Sequence, residues 1–154
     1  MIKIKPLAVS LLISLGVGGL SALLTKDSMR EYAGLNQPPL APPGWVFPVV
    51  WTVLFILMAI AAYLVWEKDS PARARALGLY GVQLAFNFLW TIIFFNTARY
   101  GFALIWLLVL WGLILATLVA FRRDSRTAGK LMIPYLAWVT FAAYLNAGVW
   151  YLNR

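Results

Sequence analysis

Five runs of 18 to 22 residues, none containing Asp, Glu, Lys, Arg or His, take up most of this 154-residue chain. They are Leu7–Leu24, Trp45–Trp66, Ala76–Asn96, Phe102–Phe121 and Leu131–Leu152. A helix of roughly 20 residues crosses a hydrocarbon layer of ~30 Å. Backbone groups in lipid must pair internally, which leaves helices or closed barrels. The runs are too long and too evenly apolar for barrel strands. A soluble core is no alternative, because hydrophobic residues make up 63% of the chain and charged ones 12%, against roughly 25% charged in ordinary soluble domains. A small fold also leaves much of its surface exposed. The expectation is an all-α integral membrane protein, with five transmembrane helices in a single bundle spanning 1–154. Lys3 and Lys5 before an apolar run ending in "LSA" also fit a secretory signal. The run is read here as the first membrane helix.

Basic residues fall mainly on one side of these spans. Lys3, Lys5, Lys68, Arg73, Arg75, Arg122, Arg123, Arg126 and Lys130 share one face, and Lys26, Arg30, Arg99 and Arg154 the other. The positive-inside rule then predicts a cytoplasmic amino terminus and an external carboxyl terminus. The same loops suit anionic lipid headgroups. The net charge of +8 therefore needs no nucleic acid, and no base-reading or stacking patch stands outside the spans.

The longest connection, residues 25–44, lies on the outer side. It carries Pro38, Pro39, Pro42 and Pro43 within six positions. Proline fixes φ and biases the preceding residue toward extended backbone. The segment thus reads as stiff, either setting the entry angle of the second span or forming a lid over a pocket. The remaining connections are short, which predicts that consecutive helices pack as neighbours.

Small residues recur every fourth position as Ser10, Ser14, Gly18 and Ala22, and again as Gly112, Ala116 and Ala120. Such faces let membrane helices approach closely, within one chain or between two. In the third span Gln83, Phe86, Asn87, Trp90 and Phe94 make one stripe. Tyr135, Trp138, Ala142, Leu145 and Asn146 do so in the fifth, and Phe47, Trp51, Phe55 and Met58 in the second. Amides facing lipid are costly, so these stripes face inward. At 1.5 Å per residue, Trp51, Trp90 and Asn146 lie roughly 9 Å inside the outer boundary. Asn87 lies slightly deeper and Trp138 near the midplane. This convergence suits either an aromatic pocket for a flat, mostly apolar ligand or an interhelical amide network with aromatic filling. Trp45, Trp66 and Tyr100 read as interface anchors.

The chain has no cysteine and no histidine. That excludes disulfides and haem ligation through either residue. It has no Ser/His/Asp set, no metal-ligand cluster and no buried carboxylate pair. The spans also hold no charge for ion coupling.

The stretches "EYAGLNQPPLAPPGWVFPVVW" (31–51), "LYGVQLAFNFLWTIIFF" (79–95) and "LMIPYLAWVTFAAYLNAGVW" (131–150) resemble the translocator protein/TspO family, formerly called peripheral benzodiazepine receptors. The likeness is to a bacterial-type member and covers essentially the whole chain. It implies five transmembrane helices, commonly a homodimer, in a bacterial cell membrane. It also implies binding of porphyrins such as protoporphyrin IX or a haem-like tetrapyrrole, with no required cofactor. The implied lining is Tyr32, Pro42, Phe47, Trp51, Asn87, Trp90, Trp138, Ala142 and Asn146, beneath the first loop. In this family porphyrin photodegradation involves two tryptophans, which correspond to Trp51 and Trp138. Two departures stand out. Ala147 and Tyr151 replace the Tyr and Arg of the sterol-recognition segment of animal members, which weakens the case for sterol binding. Leu40 stands where many relatives carry an aromatic ring, which predicts different lid packing. Three classes of function remain: a tetrapyrrole receptor or sensor, a light-dependent porphyrin-degrading protein, and a transporter.

Overall fold

A computed structural model of the chain describes residues 2–154. Its elements are α1 (Ile4–Thr25), α2 (Ser28–Ala33), α3 (Val46–Glu67), α4 (Arg73–Thr91, continued by a π-helical turn Ile92–Asn96), α5 (Tyr100–Asp124) and α6 (Arg126–Asn153). All but α2 are long and apolar enough to cross a membrane. The protein is an all-α integral membrane protein with five spans.

Four of the five spanning helices outrun the charge-free segments that foretold them, and α3 matches its segment in length, shifted by one residue. Arg73 and Arg75 begin α4, and Arg122 and Arg123 close α5. Cations on long stems snorkel to the interface, and in a last helical turn they complement the helix dipole. α6 begins within two residues of the end of α5. Ser125 is extended there (φ −153°), and its Oγ accepts the Ala128 N–H at 3.2 Å, the usual N-cap device.

Around the bundle the helices run α1, α3, α6, α5, α4, and α4 closes back on α1. Two of the three short-loop pairs, α4–α5 and α5–α6, pack as the sequence suggests. α3 and α4 touch only lightly, because α6 lies beside α3 instead. A short loop fixes proximity at one membrane face only, and side-chain packing decides the rest.

The small-residue face of α1 is used inside the chain. Ser10 Oγ donates to the Ala59 carbonyl at 2.7 Å and Ser14 Oγ to the Phe55 carbonyl at 2.6 Å. A Cβ on Gly18 would lie 2.6 Å from the Phe55 ring. By contrast, Gly112 and Ala116 of α5 are exposed.

The proline segment is fastened to the end of α6. Pro38 is buried against Gly148, where an added Cβ would lie 2.5 Å from the proline ring. Tyr144 Oη donates to the Pro39 carbonyl at 2.5 Å. Asn36 N–H donates to Asn153 Oδ1 at 3.1 Å, and Asn153 Nδ2 returns a bond to the Asn36 carbonyl at 2.8 Å. Leu40, at φ 72° and 84% exposed, adds nothing to this packing. Replacing Gly148 by Val is expected to release the segment and lower stability by about 1–3 kcal/mol, the usual cost of overpacking. The check is thermal unfolding, together with faster proteolysis between residues 34 and 44.

Candidate functional site

A cavity of about 470 Å³ opens in the half of the bundle nearest α2, between α1, α3, α4 and α6, with α2 at its mouth. Its walls are mostly rings. Tyr32 meets Phe47 at 5.9 Å and Phe94 at 5.6 Å between centroids. Phe47 meets Trp138 edge-on at 6.0 Å, and Trp138 lies perpendicular to Trp51 at 6.5 Å. Trp51 continues to Phe55 at 5.7 Å, and Trp90 meets Phe94 at 5.3 Å. These are the edge-to-face and offset geometries that aromatic quadrupoles favour.

Of the residues expected at the site, Tyr32, Phe47, Trp51, Asn87, Trp90, Trp138, Ala142 and Asn146 line the cavity, and Pro42 does not. Pro42 lies in the segment held toward α6, so the wall contributed by the long loop comes from α2. That wall consists of Met29 and Tyr32 of α2, with Lys26 from the turn before it. The phenol of Tyr32 is raised above its ordinary pKa by burial, and secondarily by Tyr100. The ring therefore stays uncharged at the mouth. The sequence reading also missed α1, which supplies Leu15, Gly18, Gly19 and Ala22. Small residues on an apolar helix carry no chemical signal, and only the opening left beside them marks their role. Phe86, read into the same stripe as Asn87, instead stacks on Trp106 of α5 at 4.5 Å.

The amides below the rings are largely engaged with neighbouring helices. Trp90 Nε1 donates to Asn146 Oδ1 at 3.1 Å, and Asn146 Nδ2 donates to the Tyr100 carbonyl at 2.8 Å. Asn87 Nδ2 donates to Tyr135 Oη at 2.7 Å, and Tyr135 Oη donates to Gln83 Oε1 at 2.6 Å. These bonds tie α4 to α6 across the bundle and fix the cavity floor. A buried network satisfied in this way rigidifies its surroundings. Each Asn keeps one further amide hydrogen. Trp138 differs, since its Nε1 is buried and makes no hydrogen bond within the chain. A buried donor without an acceptor is costly, and this one belongs to a cavity-lining ring.

The chemistry of the site is aromatic surface, two partly used amides and a cation, Lys26, at the rim.

Fold and cavity together define a five-span membrane protein built around an internal, ring-walled chamber. Residues 8–152 match the model of the TspO/MBR family, and the chain belongs to that family. It is 40% identical to the translocator protein of Bos taurus over 149 residues, covering 94% of this chain and 88% of the relative. It is 43% identical to the tryptophan-rich sensory protein of Cereibacter sphaeroides over 132 residues (86% and 81%). It is 34% identical to the tryptophan-rich protein TspO of Archaeoglobus fulgidus over 152 residues (98% and 99%).

Proposed function

We propose that the protein is a membrane receptor or sensor for tetrapyrroles, with protoporphyrin IX as the type ligand, bound in the cavity beneath α2. The observation that carries this reading is the chamber itself, walled by the rings of Phe47, Trp51, Trp90 and Trp138. A flat macrocycle would bury its faces against the rings of Trp51, Trp138 and Phe47, and a polar edge would accept the spare amide hydrogen of Asn87 or Asn146. Ionised propionates would turn outward toward Lys26, which avoids burying carboxylates without partners. Exposed ion pairs are worth ~0–1 kcal/mol, so the rings dominate affinity. In tryptophan-fluorescence quenching by protoporphyrin IX in detergent, Trp138→Ala is expected to weaken binding by about tenfold or more. Lys26→Ala should weaken it less than about fivefold. Equal losses would overturn the arrangement.

A second reading, light-dependent porphyrin degradation, is favoured by one feature: two oxidisable indoles, Trp51 and Trp138, stand 6.5 Å apart on the same wall. Its test is given in the Discussion. A homodimer fits the family resemblance, and the exposed Gly112 and Ala116 face of α5 is the seam open to a second copy.

The orientation follows from the asymmetry of basic residues. With the amino terminus in the cytoplasm, single cysteines placed at Lys68 or Arg123 of this cysteine-free chain should resist membrane-impermeant thiol reagents in intact cells. A cysteine at Arg30 should label. Labelling at Arg123 would reverse the assignment.

A further inference from the structure

At the opposite end of the bundle, a second concavity of about 570 Å³ lies between α1, α3 and α4. We propose that this groove is a binding site for a single acidic phospholipid, which seats its phosphate at the rim and one acyl chain along the floor. The two ends of the groove differ in chemistry. Lys5, Pro6 and Trp66 stand at the mouth, while Ile13 and Leu84 close the inner end. From Lys5 to Ile13 the helix rises about 12 Å, so the floor runs from the interface into the hydrocarbon layer. Gly81 lies on this floor, and an added Cβ there would meet no atom within 4 Å.

The mouth is cationic. Lys3 Nζ lies 5.7 Å from the Trp66 ring centroid and the Arg73 guanidinium carbon 5.9 Å from it. Arg73 Nη1 also donates to the Trp66 carbonyl at 2.7 Å. The nearby acids are Glu67 and Asp69. Asp69 is 3.6 Å from Arg73 Nη2 in the one ion pair formed among the described residues, which leaves Lys3 and Lys5 unpaired. Of the three helices that line the groove, α3 ends here, while α1 and α4 begin here without a side-chain cap. Their free N–H groups and dipoles favour an anion. A neutral lipid would satisfy the floor and leave the rim unanswered. Free phosphate would satisfy the rim and leave the floor empty. An acidic phospholipid answers both. The whole face carries nine basic side chains against three acidic ones, which attracts anionic lipid in general, so the test must separate the groove from the face.

The experiment uses the full chain in nanodiscs of equal phosphatidylglycerol and phosphatidylcholine, released into the gas phase for native mass spectrometry of the lipids that stay bound. The wild type should retain one phosphatidylglycerol in preference to phosphatidylcholine. Lys3→Gln with Lys5→Gln should lower that preference at least about fivefold. Gly81→Phe, which fills the floor and keeps every charge, should lower retention of either lipid. Arg122→Gln with Arg123→Gln removes the same charge from this face away from the groove and should change retention little. Circular dichroism melts confirm that each variant is folded. An equal loss in the Arg122/Arg123 pair would reduce the effect to general surface attraction and overturn the site. Full retention in Gly81→Phe would also overturn it. So would inorganic phosphate at 50-fold excess displacing the lipid, or a dimer that carries no lipid, which would assign the groove to a free anion or to a second copy.

Discussion

Enlarging Ala142 to Phe is expected to abolish protoporphyrin IX binding, with affinity falling at least about 100-fold while the bundle remains folded. Ala142 is 6% exposed and lines the cavity one helical turn from Trp138 and one from Asn146. Its methyl group therefore sits midway along the wall that α6 presents to a ligand. A phenyl ring there occupies ligand volume without adding charge or removing any hydrogen bond of the amide network. A 100-fold loss corresponds to about 2.7 kcal/mol, within the range that steric overfilling costs. Tryptophan-fluorescence quenching in detergent measures the affinity, and a circular dichroism melt shows that the variant folds. Full affinity in a folded Ala142→Phe protein would place the ligand elsewhere and reduce the ring-walled chamber to helix packing.

The second large effect concerns light. Replacing both Trp51 and Trp138 by Phe should slow the illuminated loss of protoporphyrin IX absorbance by about tenfold or more, with ligand still bound. The rings survive in this variant, so stacking is largely kept, but the oxidisable indoles are gone. The perpendicular pair at 6.5 Å places both indoles within reach of one macrocycle. Excited porphyrin and dioxygen supply the reactivity, and the protein contributes position and two oxidisable partners. Each rate is compared with its dark control and normalised to bound ligand. Decay at the wild-type rate in the double variant would remove the tryptophans from the chemistry and leave simple binding. Trp138→Phe alone separates the two roles of that residue. It keeps a ring for stacking and should weaken binding in darkness by less than about threefold, while the illuminated decay slows.

The sequence alone determined the medium and the inward faces. Charge-free runs near 20 residues have no stable home other than a bilayer, and the helical period then sorts side chains by face. Gln83, Asn87, Trp90 and Phe94, and Trp138, Ala142 and Asn146, follow that period, and all are buried or line the cavity. The equal depth reckoned for Trp90 and Asn146 agrees with the hydrogen bond between them. Periodicity does not state which helix lies opposite or how the five are ordered around the bundle. Only the tertiary structure set α6 beside α3, turned Phe86 toward α5 and left a gap next to the glycines of α1. It also decided which polar groups pair. Tyr135 takes Asn87 and Gln83, whereas Trp138, in the same stripe, keeps a free N–H. The proline segment shows the limit most clearly. Its stiffness is written in four fixed φ angles, but where a stiff segment lands depends on a distant surface. Here that surface is Gly148, Tyr144 and Asn153 of α6, so α2 forms the cavity mouth and Pro42 stays outside the wall. Local angles and periods are properties of consecutive residues, whereas long-range pairing depends on how whole helices fill space against one another.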